Sequence, residues 1–194
     1  MTRSFAVALL ATTVPLSACT VEDTADQAEA QGEDLTNSTL ASELAALDGF
    51  TFLESTLDDT GLSTAFDGAA AYTVLAPSDA ALTAASADAE LLSQPQNRAI
   101  AVAMVRDHVL PGALTPDDIR TAVEKSDGAD VAMTTLGDSI ITFSLDGDNL
   151  IASVEDGEPV IMPAGWTRAS NGVVIPIDGI LGTIPTLQAA ALES

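Results

Sequence analysis

The stretch Asn171-Gly172-Val173-Val174-Ile175-Pro176-Ile177-Asp178-Gly179-Ile180-Leu181 constrains the fold more than any other part of the chain. Val173 to Ile177 is β-branched apart from one proline, a composition that suits a strand buried on both faces. Asn171-Gly172 predicts a tight turn before it, because both residues tolerate positive φ, and Asp178-Gly179 closes it with a second turn signal. Pro176 cannot donate a ladder hydrogen bond, so it is expected at an edge or a bulge. One short buried strand thus arrives late in the chain, and earlier segments must supply its neighbours.

The partner segment is Tyr72-Thr73-Val74-Leu75-Ala76-Pro77-Ser78-Asp79-Ala80-Ala81-Leu82. Tyr72 to Leu75 reads as a strand, Pro77 ends it, and Ser78 or Asp79 can cap a short helix through Leu82. Together, YTVLAPSDAAL and NGVVIPIDGIL resemble the two signature segments of the fasciclin (FAS1) domain, which usually read TVFAPTDxAF and NGVIHxIDxVL. Between them lies RDHVLPGALTPDDI, where the family usually has a Tyr-His pair followed by V-x-P-G. The resemblance covers residues 39–187. It implies an α+β domain, a compact wedge-shaped β-sandwich or sheet with helices packed along one side.

It further implies an adhesion or surface-interaction module without catalysis, and places Thr73, Val74, Pro77, Asp79, Asn171, Gly172 and Asp178 in the structural signature. In animal members the Tyr-His region and nearby aliphatic residues contribute to integrin binding. Here Asp107 stands in place of the tyrosine, and His108, Val109, Leu110, Pro111 and Gly112 remain. Asp107, His108, Val109 and Leu110 are therefore the candidate interaction residues. Ile175 replaces the histidine common in the C-terminal signature.

Charge narrows the partners. Six Lys plus Arg face 29 Asp plus Glu, a net charge of −23 that repels phosphate backbones and excludes nucleic-acid binding. The same field disfavours adsorption of the folded domain onto an anionic bilayer. Residues 1–18 read as a leader: Met1-Thr2-Arg3 is a short basic region, and Phe5 to Val14 an apolar run too short to span a bilayer. Leu16-Ser17-Ala18-Cys19 resembles the bacterial lipobox, in which the cysteine sulfur receives a diacylglyceryl group. An ordinary secretory signal with an incidental cysteine is the alternative. Residues 19–38 carry six acids, no base and few bulky apolar groups, the pattern of a self-repelling tether. Thr20, rather than Asp, after the cysteine resembles enterobacterial outer-membrane sorting. The expected location is the bacterial cell envelope, at the outer membrane or cell surface. Residues 188–194 form a tail.

The chain of 194 residues is long enough for one domain with a substantial core, here placed at 39–187, and not comfortably for two domains. Leu40, Leu44 and Leu47 share a helical face, Phe52, Leu53 and Leu57 continue it, and Gly61 is a stop signal. Pro95 to Val109 reads as a helix whose buried stripe includes Ile100, Met104 and His108, leaving Asp107 toward water. Thr115-Pro116-Asp117-Asp118 opens another helix running to Lys125, with Thr115 as N-cap. Strands are predicted at Val131–Leu136, Ser139–Leu145, Leu150–Val154, Pro159–Met162 and Trp166–Ala169, with a hairpin turn at Asp146-Gly147-Asp148-Asn149.

No catalytic residue is assigned. His108 is the single histidine, no G-x-S-x-G elbow accompanies it, and Cys19 lies beyond the tether. One histidine and one cysteine exclude the usual zinc sets, and Leu150 and Ile151 break the calcium-loop pattern begun at Asp146. No cofactor and no metal site are expected. The sequence therefore reads as a surface-anchored module for attachment to a matrix, a surface protein or a polysaccharide. The alternative is a carrier holding a small apolar ligand in a groove.

Overall fold

A computed structural model describes residues 38–86, 89–127 and 129–184. The leader, Cys19, all but the last residue of the tether, and the tail lie outside the described residues.

The late strand, β8 (Gly172–Ile177), lies parallel to β1 (Tyr72–Pro77), with Tyr72 opposite Gly172 and Pro77 opposite Ile177. β2 (Val109–Pro111) and β7 (Thr167–Ala169) flank this pair, giving a four-stranded sheet of order β2-β1-β8-β7. A second sheet runs β3-β4-β5-β6, from Val131–Thr134, Ile140–Asp146, Asn149–Ser153 and Val160–Ile161. Six helices accompany them among the described residues: α1 (Leu40–Ala45), α2 (Thr51–Thr60), α3 (Leu62–Phe66), α4 (Asp79–Ala85), α5 (Arg98–Asp107) and α6 (Pro116–Lys125).

The first sheet is buried on both sides because successive side chains on a strand point to opposite faces. Val74, Ala76 and Val174 enter a core shared with Leu40, Leu53, Phe66 and Val105, contributed by helices α1, α2, α3 and α5. Leu75, Val173, Ile175 and Ile177 enter a second core with Ile141, Phe143 and Leu150 of the other sheet. The layers run helices, sheet, sheet. Only α6 departs from the helical side: its Ile119 and Val123 belong to the second core.

Local chemistry explains the boundaries. Gly61 stops α2 with φ +71, a left-handed conformation that costs glycine little. Thr115 accepts from Asp118 N–H while the Asp118 carboxylate accepts from Thr115 N–H, a complete capping box for α6. That pairing holds the Asp118 carboxyl below its ordinary range. The predicted helix over Pro95–Val109 divides into a 3-10 turn at Pro95–Asn97, α5, and the start of β2 at Val109.

Pro176 meets its expected constraint in an unexpected way. Asn171 and Ile177 direct their carbonyls to Tyr72 N–H and Ser78 N–H of the β1 side. The two-residue period then turns Pro176 nitrogen to the other side, where β7 has already ended opposite Val174. β8 is an interior strand over its first half and an edge over its second.

The Asn-Gly reading is corrected. The hairpin loop between Ala169 and Gly172 is Ser170-Asn171, and neither Asn171 nor Gly172 has positive φ. Gly172 is required by proximity instead: a β-carbon there would stand 2.1 Å from Tyr72 carbonyl oxygen and 2.5 Å from Leu40 Cδ1.

Candidate functional site

The segment after α5 is held from three directions. His108 ends the helix, its backbone N–H donating to Val105 O at 3.1 Å and its carbonyl accepting from Leu75 N–H at 2.9 Å. Its ring is buried, with Nδ1–H donating to Met104 O at 2.7 Å and Nε2 accepting Leu181 N–H at 3.0 Å. That pair of bonds fixes the neutral tautomer. Burial pushes the imidazole below its ordinary 6.5, against the opposing pull of Met104 carbonyl and the Asp107 charge. Both nitrogens are occupied by backbone, so His108 joins α5 to the chain following β8.

Asp107 differs from the expectation of a water-facing carboxylate. It is half-buried, and its Oδ1 accepts from Ser139 Oγ at 2.8 Å. Gly137 packs so closely that a β-carbon there would stand 2.0 Å from the same oxygen. Next to it, Arg106 donates to Leu136 O from Nε at 3.1 Å and Nη2 at 2.6 Å. These two residues clamp the β3–β4 turn onto α5.

The aliphatic residues that follow are also inside. Val109 and Leu110 are buried, one in each core, because β2 pairs with β1 and its side chains alternate. Only Pro111 of that strand is exposed, so the structure does not bring an aliphatic patch to the surface here.

Apart from Asp178, the signature residues likewise face inward. Thr73 Oγ1 donates to Gly112 O at 2.8 Å and accepts Leu114 N–H at 2.7 Å. Val74 and Pro77 are buried in β1. Asp79 does not cap its own helix. Ser78 does, accepting from Ala81 N–H, while the Asp79 carboxylate accepts from Thr51 N–H at 2.9 Å and Phe52 N–H at 3.0 Å, the start of α2. Asn171 Oδ1 accepts Leu40 N–H at 2.8 Å, and its Nδ2 donates to Phe66 O and Gly68 O. It thereby holds α1 and the end of α3 to the last hairpin. Asp178 is exposed just after β8.

Two other surface features remain. The outer face of the second sheet carries cross-strand rows Ala132–Thr142–Ser153, Thr134–Ile140, Ser144–Ile151–Ile161 and Asp146–Asn149, so its single charge, Asp146, stands at the hairpin end. Ile140 and Ile161 are 56 % and 59 % exposed, the most exposed large hydrophobics among the described residues. Beside this face, α5 and the chain after β8 border an open groove of about 690 Å³ with Ile100, Met104, Ile140 and Leu181 in its walls. Sequence reasoning named neither feature. The outer face had a legible signal: Val131–Leu136, Ser139–Leu145 and Leu150–Val154 contain no charged residue, in a chain with 29 acids.

Among the described residues no group of three His, Cys, Asp or Glu could hold a metal, and no helix is long and apolar enough to cross a membrane. Among the described residues the architecture is a mixed α+β fold of six helices and two four-stranded sheets, and its signature residues other than the exposed Asp178 are spent on its own framework. The Fasciclin domain profile matches residues 48–184, and the chain belongs to that family. FAS1 domains are generally non-catalytic modules, and the family is associated with adhesion.

Among solved structures, the fold is similar to the FAS1 domain pair of the insect cell adhesion molecule Fasciclin I, with a TM-score of 0.54 and 22 % identity. The match covers 71 % of this chain and 46 % of that one, so this chain spans less than half the length of that structure's chain. The search of curated proteins gave no match.

Proposed function

We propose that this chain is a non-enzymatic adhesion module, exported and held in the bacterial cell envelope by a lipid on Cys19. Its partner is a matrix or surface protein, or a polysaccharide. The observation that carries the adhesive reading is the outer face of the second sheet, which bears no charge except Asp146 at its hairpin end. Interface cores are depleted in charged residues, and Ile140 and Ile161 expose large hydrophobic side chains among the neutral Ser, Thr and Ala of this face. On a chain of net charge −23, this face lets a neutral partner approach with a single carboxylate, Asp146, at its margin.

Attachment of cells to a matrix-coated surface tests the reading. Thr142→Asp and Ile161→Asp place charge on the outer face while leaving the buried positions between them untouched. At matched surface levels and unchanged thermal midpoint, both should reduce attachment toward that of cells lacking the protein. Wild-type attachment by both variants would refute the surface assignment. Equal attachment without the protein would refute adhesion itself.

The anchor has its own test. Stable membrane attachment takes more than one acyl chain, which a diacylglyceryl group supplies. Cys19→Ala should leave the protein uncleaved or release it in soluble form, seen in the mature mass and the membrane fraction. The carrier alternative is weaker on geometry: the groove is open, whereas small-ligand sites bury most of their guest.

A further inference from the structure

The groove beside α5 has a chemistry distinct from the sheet face. Ile100, Met104 and Ile140 give it apolar walls, while three carboxylates, Asp107, Asp138 and Glu155, also line it. No lysine or arginine does. The described cations nearest in sequence are engaged elsewhere: Arg98 pairs with Asp59 at 3.7 Å, and Arg106 donates to Leu136 O. Asp107 gives one oxygen to Ser139, and among the described residues its Oδ2 has no hydrogen bond or ion pair. Asp138 and Glu155 are exposed and have no ion pair among the described residues.

Uncompensated carboxylates around apolar walls repel an anion and leave a purely apolar guest facing unpaired charge. They complement a cation that also carries aliphatic groups. Among the described residues these carboxylates do not gather into a metal-binding group, and basic groups spaced along a chain match their separation around the groove. The open form of the groove suits a chain that passes through it. We propose that this groove binds an extended segment of a partner protein in which lysine or arginine alternates with aliphatic side chains. The aliphatic groups would lie against Ile100, Met104 and Ile140, and the basic groups would meet Asp107, Asp138 and Glu155. This site stands apart from the proposed adhesive face, although Ile140 borders both.

Fluorescence anisotropy with a short blocked peptide alternating lysine and leucine tests the proposal. Two control peptides replace all leucines by serine, or all lysines by glutamine. The parent peptide should bind, and each control should lose about tenfold or more in affinity, since each removes one of the two complementary features. Ala103→Trp, at an exposed groove position of α5, should block binding without changing charge. Asp138→Lys with Glu155→Lys should also abolish it, while Asp146→Lys with Asp148→Lys, at the β4–β5 turn, should change it by less than about twofold. Circular dichroism and the thermal midpoint check that each variant is folded, and the charge-reversal pair serves if Ala103→Trp is not. Equal binding of the serine peptide would reduce the effect to general attraction by an acidic protein and overturn the proposal. Equal binding of the glutamine peptide would make the groove an apolar site and overturn it too. Wild-type binding by folded Ala103→Trp would place the peptide elsewhere. Ile161→Asp separates the two readings: it should impair attachment and leave peptide binding intact.

Discussion

Replacing Gly172 by alanine tests whether the parallel pair at the centre of the fold is packed as described. The added β-carbon would meet Tyr72 O at 2.1 Å and Leu40 Cδ1 at 2.5 Å, where ordinary contacts begin near 3.4 Å. Leu40 is fully buried and cannot swing away, and Tyr72 O is backbone. Relief therefore requires β1 and β8 to part by roughly 1 Å at their first pair, weakening the bond from Tyr72 N–H to Asn171 O, now 3.2 Å. Overpacking of this kind costs about 1–3 kcal/mol, and a weakened ladder bond adds about 1 kcal/mol. For a domain of this size, about 3 kcal/mol corresponds to a fall in Tm of roughly 6–12 °C.

Urea and thermal unfolding followed by circular dichroism would read it, with an unchanged m-value showing that only stability moved. Gly147→Ala is the control. Gly147 has φ +58 and open space around it, so alanine there meets only backbone strain of about 1–2 kcal/mol. If Gly172→Ala is no more destabilising than about 0.5 kcal/mol, the close approach of β8 to β1 and α1 is wrong.

Asp79→Ala should cost about 1–2 kcal/mol through the N-terminus of α2, and amide exchange should accelerate at Thr51 and Phe52 while Ala81 stays protected. Faster exchange at Ala81 alone would return Asp79 to its own helix. The His108 imidazole lies below its ordinary 6.5 when folded, so between its folded and unfolded pKa the unfolded chain binds a proton that the native one refuses. Its contribution to stability is full above about pH 6.5 and falls as pH drops below that, at up to about 1.4 kcal/mol per pH unit. The stability difference between wild type and His108→Gln should follow that course in urea titrations, and a difference independent of pH across this window would refute the buried neutral histidine.

Features set by neighbours in sequence were legible. Thr115, Pro116 and Asp118 fix the start of α6 within four residues, and alternation fixes the strands from Val131 to Ser153. What escaped depends on partners far along the chain. Asp79 looks like a cap for the helix it begins, because nothing local shows that Thr51 and Phe52 lie within reach of its carboxylate. Asn171-Gly172 has the composition of a left-handed turn, yet Asn171 is selected by Leu40, Phe66 and Gly68, and Gly172 by Tyr72 and Leu40. The spacing of Asp107 from Ile100 and Met104 predicts a water-facing carboxylate, but its exposure is set by Ser139 and Gly137, more than 25 positions away.

The same accounting locates function. Thr73, Asp79, His108 and Asn171 carry the polar groups that make the family recognisable, and each directs them to backbone elsewhere in the domain. A group whose hydrogen bonds are already made inside the fold must break them to hold a partner, and a buried partner left unsatisfied costs about 1–3 kcal/mol. Those residues are therefore poor candidates for binding, however strongly they identify the fold. The outer sheet face and the groove carry few such obligations, the exceptions being Asp107, which accepts from Ser139, and Ser153, which donates to Thr142 O. Ile161, Thr142 and Ser153 point away from the core, and Asp138 and Glu155 stand outside every ion pair described. Recognition of the family and recognition of a partner thus rest on different residues of this chain. Substitutions that separate stability from attachment should divide along that line.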